Sequence, residues 1–106
     1  SHAASAYLEL HIEQGPVLER EGVPIGVVEG IRGIRKFAIG LEGLEAHAGS
    51  PMEGRRDALR AAARVIEALG ALGDDLGAVS ITTGRIEVEP NAPSVVGVLI
   101  LLTALA

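Results

Sequence analysis

Arg35-Lys36-Phe37-Ala38-Ile39-Gly40-Leu41 opens the run of sequence that decides the fold. Phe37, Ile39 and Leu41 fall on one face at period two, the spacing of a half-buried strand. Glu42 to Gly49 reads as a loop. Ser50-Pro51-Met52-Glu53 then has the form of a capping box with proline in the first helical position. From Arg55 to Leu72 the pattern is helical, although Gly54 weakens the first turn. Leu59, Ala62, Ala63, Ile66 and Leu69 form the apolar stripe, and Arg56, Arg60, Arg64 and Glu67 lie largely away from it. Gly70 and Gly73 are expected to fray its end, before a turn at Asp74 to Gly77. Val79 to Glu89 is extended but changes phase: Val79, Ile81 and Thr83 share one parity, Ile86 and Val88 the other. A bulge at Gly84 would return both sets to one face. Pro90-Asn91-Ala92-Pro93 is a turn. Val95 to Ala106 is almost wholly apolar, reading as a strand buried on both faces or covered by a partner. The order strand, helix, strand, strand gives an α+β class, an open-faced sandwich lacking its second helix and last strand. The edge left by that strand predicts self-association driven by residues 95–106.

Working back toward the start, Gly30-Ile31-Arg32-Gly33 marks a hinge. Before it, Leu8, Leu10 and Ile12 alternate with Tyr7, Glu9, His11 and Glu13, the pattern of a strand over Tyr7 to Glu13. Gly15-Pro16 ends that strand. Val17 to Glu21 makes a short helix closed by Gly22, and Val23 to Glu29 is a second extended piece. The expected division is residues 1–30 and residues 31–106.

Composition excludes several classes. The chain has 106 residues, 48% hydrophobic but only 2% aromatic, so Leu, Val, Ile and Ala must fill one modest core. Two aromatic residues, Tyr7 and Phe37, cannot build a stacking platform for single-stranded nucleic acid, and a net charge of −5 is no footprint for a polyanion. Cysteine is absent, which removes disulfides and thiol nucleophiles and fits a reducing compartment. No signal peptide is recognised, and the apolar run from Val95 is too short for a membrane span. The expectation is a cytoplasmic chain with no nucleic-acid or membrane partner. His2, in the opening Ser1-His2-Ala3, is given no role.

Two histidines carry candidate chemistry: His11 in Leu10-His11-Ile12-Glu13-Gln14-Gly15-Pro16, and His47 in His47-Ala48-Gly49-Ser50-Pro51-Met52. Read from periodicity alone, His11 is a surface residue on the polar face of a strand, and His47 is exposed in a small-residue loop. One histidine cannot hold a catalytic metal, which needs about three protein ligands. Glu9 and Glu13 share the face of His11 but default to solvent. Ser50 is better explained by capping than as a nucleophile, since no Gly-x-Ser-x-Gly elbow surrounds it. Arg55 and Arg56 could bind an anion at a helix start, with a solvated helix face slightly preferred. Gly30, Gly33 and Gly84 are backbone devices, because no phosphate-cradle pattern occurs.

Together these pieces resemble a known family. Glu9-Leu10-His11-Ile12-Glu13-Gln14-Gly15-Pro16, then Gly30-Ile31-Arg32-Gly33, His47-Ala48-Gly49, Pro51-Met52 and Arg56-Asp57 stand in the order found in the N-carbamoyl-L-amino-acid amidohydrolases, allantoate amidohydrolases and β-ureidopropionases. That group lies within the clan of two-metal aminoacylases and exopeptidases, and the resemblance runs from about Tyr7 to Asn91. It implies a catalytic domain interrupted by a ferredoxin-like lid that is also the dimerisation domain. Residues 1–30 would end the first catalytic segment, and residues 31–106 would be most of the lid. It implies two divalent ions, Zn²⁺ or Mn²⁺ with Co²⁺ and Ni²⁺ as alternatives, and His11 as one of their ligands. It makes His47 the lid histidine that donates to an oxyanion in the neighbouring subunit's active site. Gln14 would orient the carbamoyl group. The implied assembly is a homodimer acting on a small ureido or amide substrate.

The chain departs from the family pattern in places. Only Ser50 separates Gly49 from Pro51, where the family has two residues. Ser94 stands in the register of the asparagine that meets the substrate carboxylate, with Asn91 nearby as the candidate. No arginine follows Arg85 to grip that carboxylate. The general base and the other metal ligands lie outside these residues, so the chain alone is expected to be inactive and to hold no metal stably. A stand-alone, non-catalytic dimerisation or small-ligand-binding module is the alternative.

Overall fold

The computed structural model describes residues 3–106; Ser1 and His2 lie outside the described residues. The chain divides into two compact units, Ser1–Arg32 and Gly33–Ala106.

Among the described residues of the first unit the one regular element is helix α1, Val17–Glu21, closed by Gly22 in the left-handed conformation. The Glu13 carboxylate opens it, with its two oxygens accepting from the amides of Val17 (2.9 Å) and Leu18 (3.0 Å). These are amides that no turn of the helix itself can satisfy. The alternating segment Tyr7 to Glu13 forms no ladder, and neither does Val23 to Glu29. Period two sets which side chains share a face, but a strand also needs a partner for its amides and carbonyls. Leu8 and Leu10 are 96% and 94% exposed.

The second unit is an α+β layer. Strands β1 (Lys36–Glu42), β2 (Thr82–Glu89) and β3 (Leu99–Leu105) form an antiparallel sheet in the order β1-β3-β2, with helix α2 (Ala58–Leu76) against one face. The register pairs Ile39 with Leu102 and Leu41 with Ile100 across one ladder, and Ile86 with Leu102 and Val88 with Ile100 across the other. The β2 register shifts between Thr83 and Arg85, so Gly84 is the expected bulge and Thr83, Ile86 and Val88 share a face.

β3 is therefore the central strand, which corrects the reading of residues 95–106 as an exposed edge. Its hydrogen bonds are used on both sides, and Ile100 and Leu102 are fully buried beneath α2. Nor is it buried on both faces. Leu99, Leu101 and Leu105 alternate with the buried positions and stay 38–41% exposed.

Helix α2 also departs from expectation. It starts at Ala58, capped by Asp57, whose Oδ1 accepts from the Arg60 amide at 3.1 Å. The capping box at Ser50 is not used, because Gly54 takes a positive φ of 72° that interrupts the helical path. The helix continues past Gly70 and Gly73 to Leu76 and ends at Gly77. The buried stripe is rotated from the expected one: Ala58, Ala62, Val65 and Ile66 face the sheet, whereas Leu59 and Ala63 are exposed.

The start of α2 docks tightly on the strand ends. The Ala58 amide donates to the Gly97 carbonyl (3.0 Å), and the Leu44 amide donates to the Arg56 carbonyl (2.8 Å). A Cβ at Gly97 would sit 2.9 Å from the Leu59 Cβ, and one at Gly43 would meet the Arg56 carbonyl and, at 2.8 Å, that of Gly97. Only glycine allows the backbones to approach this closely.

Candidate functional site

The loop beyond β1 is not free chain. The Gly43 amide donates to the Val98 carbonyl (2.6 Å), the Val96 amide to Ala46 (2.9 Å), and the Ala48 amide to Ser94 (2.8 Å). This irregular ladder continues β1 and β3 past the sheet and ends in a bridge between His47 and Val95. It joins the His47 segment to residues 94–96, which follow the turn that holds Asn91, and the Val95 amide closes on the Ala92 carbonyl (3.2 Å). Alternation alone could not find it, because Gly43, Ala46 and Gly97 carry no strand pattern.

His47 is exposed, and one ring nitrogen is engaged. The Gly49 amide donates to Nδ1 at 3.0 Å. An amide can only donate, so in the neutral ring Nδ1 carries the lone pair and Nε2 carries the proton. The ring thus presents an N–H donor from its outer edge. Arg55 supports the same loop: its Nη2 donates to the carbonyls of Ala48 (2.9 Å) and Ser50. Sequence reasoning placed Arg55 at a helix start; the helix begins three residues later, and the side chain folds back onto the loop. The signal was available in its spacing from Ala48 and Ser50, but only once Gly54 was known to break the helix.

His11 belongs to the first unit and is also exposed. Its Nδ1 lies 2.6 Å from the Ile12 carbonyl. A carbonyl can only accept, so Nδ1 donates, and in the neutral ring Nε2 carries the lone pair. This is the arrangement found in metal-ligating histidines, whose other ring nitrogen is held by a backbone carbonyl or a carboxylate. The neighbouring acids do not join it: Glu9 accepts from the Tyr7 hydroxyl (2.9 Å), and Glu13 caps α1. Among the described residues no group of three or more His, Cys, Asp or Glu is gathered to hold a metal ion. The donor set fits a single ligand and not a complete centre.

Gln14 and Asn91 share one backbone property. They are the non-glycine residues with positive φ among the described residues, at 57° and 54°. Asparagine tolerates this conformation, but for glutamine it costs about 1 kcal/mol or more. The site residues divide between the units, His11 and Gln14 in one and His47 and Asn91 in the other. No helix among the described residues is long and apolar enough to cross a membrane.

Comparison with known proteins gives a consistent result. No family model matches the chain. Allantoate amidohydrolase from Bacillus subtilis (strain 168) is 43% identical over 94 residues, 87% of this chain and 23% of the relative. N-carbamoyl-L-amino acid amidohydrolase from Geobacillus stearothermophilus is 41% identical over 92 residues, 86% of this chain and 22% of the relative. Among solved structures, an amidase of the hydantoinase/carbamoylase family from Burkholderia vietnamiensis superposes with a TM-score of 0.85 at 43% identity, covering 90% of this chain and 24% of that one. The chain thus spans 22–24% of the length of these relatives.

Proposed function

Because this chain corresponds to one segment of the allantoate and N-carbamoyl-L-amino-acid amidohydrolases, we propose that it is part of a metal-dependent hydrolase that cleaves linear ureido or amide C–N bonds. The observation that carries this reading is that relatives named for two such substrates match the same stretch at 41% and 43% identity. They do not favour the alternative of a stand-alone, non-catalytic module. Residues 1–30 then end a catalytic segment. Residues 31–106 form most of a ferredoxin-like lid, to which the β1-β3-β2 order and the covering helix lend support. A second helix and a further strand on the free edge of β1 would complete that fold.

In this reading His11 gives its Nε2 lone pair to one of two divalent ions, and the remaining ligands come from outside these residues. Bound metal supplies an activated water and polarises the scissile carbonyl. His47 acts from the lid of one protomer on the active site of its partner in a homodimer. Its Nε2–H meets the oxygen on which negative charge develops, and a donor of this kind contributes about 3 kcal/mol to the transition state. Gln14 and Asn91 orient the carbamoyl and carboxylate ends of the substrate; their positive-φ backbones support a positioning role.

The test is an assay of the full-length protein on allantoate and a panel of N-carbamoyl-L-amino acids, with and without a chelator. The expected result is ammonia or free amino acid, lost on chelation and restored by Zn²⁺ or Mn²⁺. Metal-replete protein that turns over none of these substrates would refute the reading.

A further inference from the structure

The Ala48–Gly49 peptide group is held at both ends. Its carbonyl accepts from Arg55 Nη2 at 2.9 Å, and its N–H donates to His47 Nδ1 at 3.0 Å. A trans peptide is planar, with C=O and N–H pointing in opposite directions, so holding one end orients the other. If this plane turned over, the carbonyl would face the imidazole. Nδ1 would then have to donate, and the proton would leave Nε2. Arg55 opposes that turn with a second bond from the same nitrogen to the Ser50 carbonyl, which straps both sides of Gly49. The guanidinium is partly withdrawn from water: its Nε is buried and has no hydrogen-bond partner. Charge-assisted bonds at such a site are stronger than neutral ones, and the cation on the carbonyl also polarises the opposite N–H as a donor.

We propose that Arg55 is a positioning residue: it locks the Ala48–Gly49 peptide plane and so keeps the proton of neutral His47 on Nε2. The catalytic consequence rests on the reading of His47 as an oxyanion donor, but the tautomer lock stands on geometry alone.

The two can be tested separately. Ring ¹⁵N spectra of His47 and hydrogen exchange at the Gly49 amide are measured in the full chain, for the parent sequence, Arg55→Met and Arg55→Lys. The parent is expected to show the Nε2–H form. In Arg55→Met the ring signals become those of a tautomer mixture and Gly49 exchanges about tenfold faster, the loss expected for a bond to a charged group. Exchange at Leu102 stays unchanged. Arg55→Lys keeps a cationic donor, on a stem one bond shorter, and recovers part of the effect, so the comparison survives if the methionine variant folds poorly. Unchanged ring signals and Gly49 exchange in both variants would overturn the proposal. In the full-length protein, Arg55→Met is expected to lower kcat about tenfold with KM nearly unchanged. A shifted tautomer with undiminished kcat would leave the lock intact and refute instead the oxyanion role of His47.

Discussion

The segments around His11 and His47 treat the same side chain in opposite ways. Both rings are exposed and both engage Nδ1 with backbone nearby in sequence, but one meets a carbonyl and the other an amide. In the neutral rings, His11 is left with a lone pair on Nε2 and His47 with an N–H there. The first is what a metal ion takes, and the second is what a developing oxyanion takes. Their supports differ as well. His47 sits at the end of a ladder anchored in the sheet and strapped by Arg55, whereas His11 lies in a stretch where Leu8 and Leu10 are almost fully exposed. The lesson is that this chain by itself fixes the proposed donor and leaves the proposed ligand to be fixed by the rest of the proposed enzyme.

The sharpest way to break that contrast is through packing. Leu102→Ala should destabilise the second unit by about 2–5 kcal/mol, because Leu102 is fully buried between α2 and both neighbouring strands. Leu10→Ala in the same chain should change stability by less than about 0.5 kcal/mol. Chemical denaturation of the two variants checks this, and equal effects would remove the distinction between the regions. In the full-length protein Leu10→Ala should become costly, since the proposed catalytic domain would cover that face. A finer contrast lies in the two carboxylate caps. Asp57→Ala should cost about 1 kcal/mol, because it opens a 19-residue helix that carries the buried core residues Ala58 and Ala62. Glu13→Gln should be nearly silent in global melting, because α1 has five residues and buries none of them. Circular dichroism melts of the pair provide the check.

Much of the second unit was legible in the sequence because its signals agree with one another. The alternation of Phe37, Ile39 and Leu41 marked β1, and the phase change around Gly84 marked the bulge in β2. Other features had competing local answers. Ser50-Pro51-Met52-Glu53 is a good cap by composition, but Gly54 breaks the path and Asp57 is the cap the helix uses. The central place of β3 depends on which strands pair, and periodicity carries no information on order. In the first unit Tyr7 to Glu13 showed the pattern of a strand with no partner to pair with. The two histidines stood out by motif, but the direction of each proton is set by a neighbouring peptide plane, which no side-chain pattern encodes.

The most direct test follows the two histidines separately. The full-length protein carrying His11→Ala and the one carrying His47→Ala are purified, and bound metal and turnover are measured on each. His11→Ala is expected to lose metal and turnover together. His47→Ala is expected to keep its metal and lose kcat by about a hundredfold or more. Normal turnover in His47→Ala, or a full complement of metal in His11→Ala, would contradict the account.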